Sequence, residues 1–194
     1  MTIKQIYLTF WYLLNIPILS LKGVKYGKGL SIRGVVFIKT ARKTKKNTIF
    51  LGNNVCINSS RESDPIGGDV KTIFFTLYDG EIHIADNVGL SNTTIVARKS
   101  VCIGENTNIG AGVRIYDNDF HSLLPEERLN GDRNIKVKGI SIGKNVFIGA
   151  HCIILKGVTI GDNSVVGAGS VVTKNIPDNE IWAGNPARFV KKNN

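Results

Sequence analysis

A histidine stands among acidic residues in the polar segment "YDNDFHSLLPEER", where His121 follows the aspartates at 117 and 119. Imidazole titrates near neutral pH, so a histidine can take a proton from a substrate and return it. A carboxylate on the other ring nitrogen would fix the tautomer and stabilise the imidazolium. Asp119 is the first candidate for that partner and Asp117 the second, while Glu126 or Glu127 could reach the ring after a turn of the chain. The segment therefore predicts a general base at His121.

The other two histidines are less suited to chemistry. His83 lies between two isoleucines of a predicted strand and is expected to point outward, and His151 lies at a predicted surface turn. A metal-dependent hydratase of the carbonic-anhydrase type needs about three histidines on one metal. The three histidines of this chain are widely scattered, so we expect no metal site, either there or in the segment around His121.

The elements that position these residues follow a period of six. Aliphatic residues recur at this interval in the C-terminal half: Ile142, Ile148, Ile154, Ile160, Val166 and Val172. A small or aliphatic residue lies two positions before each: Ile140, Val146, Cys152, Val158, Ser164 and Ser170. A six-residue interval does not match the 3.6-residue turn of a helix, whereas residues two apart share one face of a strand. The pattern predicts an all-β solenoid of very short strands whose coils hydrogen-bond to one another.

The period is lost between residues 116 and 139. Before this gap the aliphatic residues fall six apart: Ile103, Ile109 and Ile115. His121 occupies the next position of that series, and the period returns only at Ile140. A long aperiodic segment inside a compact repeat domain is usually functional or disordered. We therefore expect an extruded loop over 116–139 that carries the site, and a second loop or distorted coil at "RESDPIGGDVKTIFF".

The C-terminal part carries a family resemblance. The run "IGKNVFIGAHCIILKGVTIGDNSVVGAGSVVTKNIP", followed by "AGNPAR", resembles the hexapeptide-repeat acyltransferases. It is most similar to their sugar O-acetyltransferase branch, with the maltose, galactoside and capsular polysaccharide acetyltransferases. The resemblance covers residues 82–192. It implies a left-handed parallel β-helix, a homotrimer, acetyl-CoA as donor, a sugar or polysaccharide acceptor, and active sites between neighbouring subunits.

The resemblance also implies roles for individual residues. "DFH" matches the segment that carries the family's catalytic histidine. The family's CoA-contacting positions correspond to Thr173, Lys174, Arg188 and Lys191, and the small residues along its pantetheine groove correspond to Gly149, Ala150 and Ala168. Phe147 stands where many relatives carry tryptophan, and it could still pack on the pantetheine arm.

Two residues are candidates for binding the acceptor. Asn92, on an outward turn one coil before the loop, is expected roughly beneath His121, and its amide can both donate to and accept from a sugar hydroxyl. It could equally be an asparagine that stacks within a turn. Arg128 could orient a substrate or pair with Glu126 or Glu127.

Length and charge bound the remaining possibilities. The chain has 194 residues and a net charge of +10, without an arginine-rich run or interleaved aromatic and basic residues. Nucleic acid is therefore not expected, and the phosphates of a cofactor or an anionic membrane fit the charge better. Three scattered cysteines without a CxxC pattern favour reduced thiols and a cytoplasmic protein.

The N-terminal segment is apolar from Ile6 to Leu21. It is short for a membrane span and lacks the cleavage site of a signal peptide. We expect a helix over residues 1–22 that docks on the solenoid of residues 23–190, which a basic tail of 191–194 follows. The alternative is an interfacial helix whose flanking lysines face lipid phosphates: Lys4, Lys22, Lys25 and Lys28.

Two other functions stay open at this point. N-acetylation of a nucleotide-linked amino sugar differs from O-acetylation only in which proton is removed. A non-catalytic β-helix that serves as a scaffold or binding module would need neither the polar loop nor a cofactor-binding tail.

Overall fold

Three β-sheets, parallel except for the last strand pair of one sheet, form the faces of a three-sided prism in the computed structural model of the protein, which describes residues 2–40 and 48–194. Sheet A consists of β1 (Lys25–Tyr26), β4 (Ile49–Leu51), β7 (Glu81–Ile84), β10 (Ser100–Ile103), β13 (Ile140–Ile142) and β16 (Thr159–Ile160). Sheet B consists of β2 (Ser31–Gly34), β5 (Cys56–Ser59), β8 (Gly89–Ser91), β11 (Asn108–Ile109), β14 (Phe147–Ile148), β17 (Val165–Val166), β19 (Glu180–Gly184) and β20 (Ala187–Lys192). Sheet C consists of β3 (Phe37–Lys39), β6 (Ile73–Thr76), β9 (Thr94–Ala97), β12 (Arg114–Tyr116), β15 (Ile153–Ile154) and β18 (Val171–Val172). The chain visits the three sheets in turn, so each coil contributes one strand to each face.

The core is the column of side chains that point into the prism. Both inward positions predicted for each six-residue repeat are buried: Ile140 and Ile142 are each 2% exposed, and Cys152 and Ile154 are each 0% exposed. Ser164 and Ser170 also point inward, and their hydroxyls donate to backbone carbonyls, which satisfies them inside an apolar core. The predicted solenoid of short strands is confirmed.

Asparagines form a hydrogen-bonded column along the edge between sheets A and B. Its members stack one per coil: Asn54, Asn87, Asn106, Asn145, Asn163 and Asn179. Each has a positive φ between 53° and 59°. Asparagine tolerates this left-handed conformation better than most residues because its short polar side chain bonds locally. The column fixes the register of one coil on the next.

The N-terminal helix α1 (Ile3–Leu21) docks on the first coil. Asn15 is fully buried, with its Nδ2 donating to the carbonyl of Gly34 at 2.9 Å and its Oδ1 accepting from the N–H of Val36 at 3.0 Å. Leu19 packs into the core with 1% exposure. These contacts hold α1 against the first coil, where the sequence led us to expect it. The side chain of Lys4 lies outside the described residues, and no helix within residues 2–40 and 48–194 is long and apolar enough to cross a membrane.

The segment expected as a loop or distorted coil contains a 3₁₀ turn at Pro65–Gly67 before strand β6. At the other end of the chain, β19 and β20 pair antiparallel. Lys191, expected in a tail, belongs to β20.

Candidate active site

The aperiodic segment leaves the prism at the edge between sheets C and A. It begins after β12, ends before β13, and includes the short helix α2 (Pro125–Leu129). Its two ends pair like a hairpin, because the N–H of Asp119 donates to the carbonyl of Lys136 at 3.1 Å and that of Lys138 donates to Asp117 at 2.9 Å. This stem places residues 120–134 outside the core. We call the stem and these residues together the 117–139 loop.

Asp117 anchors the base of the loop and does not reach His121. It is 0% exposed, and its carboxylate accepts from the backbone N–H groups of Arg98, Lys99 and Ser100 at 2.8, 2.6 and 2.9 Å. These bonds hold the turn between β9 and β10. The prediction that Asp117 orients the imidazole is therefore wrong, because its oxygens are used by the backbone of the preceding coil.

Asp119 is also directed away from the imidazole. Its Oδ1 lies 2.5 Å from Nζ of Lys156 in the next coil, and its Oδ2 is buried without a hydrogen-bond partner among the described residues. Only its backbone carbonyl meets His121, accepting from the N–H at 2.6 Å. The first-choice partner predicted for the histidine is therefore wrong, since the ammonium of Lys156 takes the carboxylate.

The carboxylate beside the imidazole belongs to Asp132. Its Oδ2 contacts Nδ1 of His121, and its Oδ1 accepts from the N–H of Ser122 at 2.6 Å. The Ser122 N–H, followed by the hydrogen bond and charge of His121, holds the pKa of Asp132 below its usual range. The His121 side chain is 72% exposed, so its other nitrogen, Nε2, faces outward from the loop. With the proton on Nδ1 directed at Asp132, Nε2 presents a lone pair to whatever binds there.

Glu127 holds the loop around this pair. It accepts from the hydroxyl of Ser122 and from Nδ2 of Asn134, the latter at 2.7 Å. These bonds, with Asn134 as the larger contributor, lower the pKa of Glu127. Arg128 donates to the carbonyl of Ser122 at 2.7 Å, and its expected role in orienting a substrate stays a prediction. Glu127 and Arg128 therefore fix the residue that follows His121.

A cavity of about 440 Å³ opens beside Ser122. Apolar side chains line it at Leu123 and Leu124, and charged ones at Glu127 and Lys136. This mixture of polar and apolar groups, which begins at the residue after His121, suits a ligand with hydroxyl groups and apolar ring faces.

Asn92 does not lie beneath His121. It follows β8, at the edge between sheets B and C, and it is 0% exposed. Its Nδ2 donates to the carbonyl of Val70, and a Cβ added at Gly67 would lie 2.5 Å from the Asn92 side chain. The segment around the 3₁₀ turn covers this asparagine. The position expected for Asn92 is wrong, because the loop with His121 leaves the prism at the edge between sheets C and A.

The residues expected to bind CoA lie along two different edges. Thr173 and Lys174 follow β18 at the edge between sheets C and A, which is the edge that carries the 117–139 loop, and both are exposed. Ala150 and Ala168 follow β14 and β17 at the edge between sheets B and C. Within one subunit, the width of sheet C therefore lies between these two alanines and the loop that carries His121.

Other members of the expected set have different environments. Phe147 is 50% exposed on the outer face of sheet B. Gly149 is buried, and a Cβ there would come within 2.5 Å of the backbone nitrogen of Ala168, so close stacking of two coils requires the glycine. Arg188 and Lys191 are exposed on β20 at the C-terminal end.

Sequence reasoning missed Asp132, which is eleven residues from His121. The available signal was the turn "NGDRN", where Gly131 and Asp132 both have a positive φ, of 90° and 58°. Such a turn reverses the chain and returns a carboxylate toward the loop stem. The sequence analysis chose Asp119 and Asp117 instead, because they are closer to His121 along the chain.

Comparison with known proteins agrees with this fold. The model of the hexapeptide repeat of succinyl-transferase matches residues 139–174. The galactoside O-acetyltransferase of Escherichia coli K12 is 44% identical over 123 residues, which are 63% of this chain and 59% of that protein. A solved galactoside acetyltransferase in complex with coenzyme A has a TM-score of 0.55 and 34% identity, covering 82% of this chain and 64% of that one. The resemblance to the hexapeptide-repeat acyltransferases is confirmed. The coils form the left-handed parallel β-helix of that fold.

A further solved structure shares more of the chain at lower identity. A point mutant of AntD, an N-acyltransferase from Bacillus cereus solved with dTDP-4-amino-4,6-dideoxyglucose and coenzyme A, has a TM-score of 0.68 and 25% identity. The match covers 92% of this chain and 89% of that one. The chain spans about three fifths of the length of the curated relatives it matches.

Proposed function

We propose that the protein transfers an acetyl group from acetyl-CoA to a hydroxyl of a sugar or polysaccharide, with His121 as the general base. The observation that carries this proposal is the contact between Nδ1 of His121 and Asp132, in a side chain that is otherwise exposed, one residue before Ser122 in the lining of the cavity. The likeness to galactoside acetyltransferase supports the choice of donor and acceptor.

The proposed step needs only one proton acceptor. Nε2 takes the proton of the acceptor hydroxyl as its oxygen attacks the thioester carbonyl. The carbon–sulfur bond breaks, and the CoA thiolate takes the proton back from the imidazolium, so no covalent enzyme intermediate is required. Asp132 holds the ring in the reactive tautomer and stabilises its transient positive charge.

The basic C-terminal residues fit the phosphates of CoA. Lys174, Arg188 and Lys191 are all exposed, and charge-assisted bonds from such groups hold phosphates well. Ala168, exposed on the next edge, leaves room for a narrow chain such as pantetheine. Phe147 offers an exposed aromatic face on sheet B for the same chain.

The separation of the two edges supports a site between subunits. His121 and Lys174 lie on the edge between sheets C and A, whereas Ala150 and Ala168 lie on the edge between sheets B and C. In a homotrimer of prisms packed side by side, one edge of each subunit can face the other edge of its neighbour. We therefore include a homotrimer in the proposal, with each site built from two subunits.

Replacing His121 with alanine tests the base directly. Turnover of acetyl-CoA, followed by release of the free thiol, should fall by a factor of about 10² or more, because the base is lost. The imidazole is exposed, so folding and oligomeric mass should not change. Turnover near that of the wild type would remove His121 from the mechanism.

Mixed oligomers test whether the site is shared. His121→Ala removes the base, and Ala168→Trp should block the groove on the other edge. If each site combines two subunits, equal mixing of the two inactive variants should restore about a quarter of wild-type turnover. A site contained in one subunit predicts no recovery, and a monomeric mass in light scattering would also overturn this part of the proposal.

An amino-sugar acceptor is the second candidate, favoured by the high mutual coverage with AntD. A screen with acetyl-CoA should give higher kcat/KM for hydroxylated sugars than for nucleotide-linked amino sugars. The reverse order would assign N-acetylation. Failure to bind CoA at all would favour a β-helix without catalytic activity.

A further inference from the structure

The net positive charge of the protein comes from the first third of the sequence. Residues 1–61 contain eleven lysines and arginines and no aspartate or glutamate, which gives this part a net charge of +11. Residues 62–194 contain 14 basic and 15 acidic residues, a net charge of −1. The whole excess of +10 therefore belongs to the N-terminal part, whereas the CoA-binding positions proposed above lie in the neutral remainder.

Helix α1 presents an apolar surface on the side that does not face the prism. Four of its large apolar side chains are strongly exposed: Ile6 at 52%, Phe10 at 58%, Leu13 at 63% and Leu21 at 85%. They recur at intervals of three, four and eight residues, which places them on one helix face. We call these four side chains the outer face of α1.

The sequence of α1 contains no charged residue from Gln5 to Leu21. A helix that rests on its own domain normally turns a polar face to water, whereas a helix that is apolar on all sides is normally covered. The inner side of α1 is covered through Asn15 and Leu19, but no described residue covers the outer face. A partner for this face is missing from the single subunit.

Basic side chains surround the C-terminal end of α1. Lys22, Lys25 and Lys28 follow the helix within seven residues, and Lys39 ends β3 in the first coil; all four are exposed. An apolar surface bordered by exposed lysines is complementary to an anionic bilayer, which offers acyl chains and phosphates together.

The same charge argues against other occupants. A second copy bound through the outer face of α1, apart from the edge contacts of the proposed trimer, would set two regions of +11 against each other, which like-charge repulsion opposes. A nucleic acid would pair with the lysines but would leave the outer face of α1 exposed to water.

We propose that the outer face of α1 and the lysines that follow it bind the protein to anionic lipid bilayers. The apolar side chains enter the boundary between headgroups and acyl chains, and the lysines contact headgroup phosphates. This inference does not depend on the proposed acetyl transfer.

Vesicle co-sedimentation of the full chain tests the proposal. We expect binding to phosphatidylcholine vesicles that contain about 30% phosphatidylglycerol, weak binding to phosphatidylcholine alone, and a decrease with added salt. Equal binding to both vesicle types, or none to either, would overturn the proposal.

Matched variants separate the two contributions. Phe10→Gln with Leu13→Gln should weaken binding to the anionic vesicles by about a hundredfold, because two inserted side chains are lost. Ile66→Gln with Phe189→Gln removes apolar groups of similar exposure elsewhere and should leave binding unchanged. Equal effects of the two pairs would contradict a specific role for α1.

Lysine variants keep the test decisive if the apolar pair affects folding. Neutralising Lys22, Lys25 and Lys28 with glutamine should weaken binding by about a hundredfold. The control neutralises three other exposed lysines: Lys71, Lys99 and Lys144. Binding that depends only on total charge would fall equally in both triple variants and would exclude the proposed surface. A change of oligomeric mass in the apolar pair, without vesicle binding by the wild type, would assign the outer face to self-association.

Discussion

The coils and the 117–139 loop hold their shape by different means. In the coils, the same contacts repeat from one layer to the next, with inward pairs such as Ile140 and Ile142 and parallel strand ladders. In the loop each contact occurs once, and carboxylates supply most of them, as Glu127 and Asp132 do. A repeated contact can be recognised from sequence, whereas a contact that occurs once cannot.

Two aspartates of the same region show what this difference means for function. Asp117 is buried and serves the backbone of the coil beneath the loop, whereas Asp132 lies at the loop surface and serves the imidazole. Both accept backbone N–H groups, but only Asp132 has an oxygen left for a side chain that can react. Burial and the number of backbone donors, and not distance along the chain, decide which one is placed for chemistry.

The largest expected effect is the loss of stability on replacing Asp117. Asp117→Ala leaves three backbone N–H groups without their acceptor, and we expect the free energy of unfolding to fall by about 4 kcal/mol. Asp79→Ala, which removes an exposed acid, should change it by less than about 0.5 kcal/mol. Urea unfolding measures both. An Asp117→Ala variant that is stable but inactive would show that Asp117 takes part in the reaction.

The next effect concerns activity without loss of the fold. Asp132→Asn keeps an acceptor for Ser122 but loses the charge beside the imidazole, and turnover should fall by about 10²-fold.

Asp119→Asn is the matched control, because it alters the contact with Lys156 and not the imidazole. Its turnover should stay close to that of the wild type. A large loss of turnover in Asp119→Asn, with none in Asp132→Asn, would reverse the assignment of the two aspartates.

The smallest effect is an acid sensitivity confined to the loop. The pKa of Glu127 is lowered in the folded protein, so its contribution to loop stability is present above the ordinary glutamate value of 4.5 and is lost as the pH falls through the lower folded value. Hydrogen exchange of residues 122–134 should therefore lose protection below about pH 4.5 while the coils keep theirs.

Glu127→Gln should show part of that loss already at neutral pH. Glu126→Gln, a change at the exposed neighbouring position, should match the wild type. Equal protection of loop and coils across the pH range would show that Glu127 does not hold the loop.

Much of the fold was predictable because its signal is periodic. The six-residue interval from Ile142 to Val172 predicted the coils, and the loss of that interval after Ile115 located the loop. The partner of His121 was not predictable, since the turn at Gly131 that returns Asp132 depends on contacts made only in the folded loop. The position of Asn92 was predicted wrongly because it was counted in coils of about 18 residues. Asn92 lies at the edge between sheets B and C, whereas the loop leaves the prism at the edge between sheets C and A.

The asparagine column has a consequence for how such a protein can change. Asn106 and Asn145 bond directly although 39 residues separate them, whereas Asn145 and Asn163 are 18 apart. The hydrogen bonds of the column therefore form whether 18 or 39 residues separate two neighbouring members. A segment of another length or composition can therefore replace residues 120–134 without disturbing the layers above and below, provided that Asp117 and the stem are kept. If the loop contacts the acceptor as proposed, this segment is the natural unit to exchange between relatives with different acceptors.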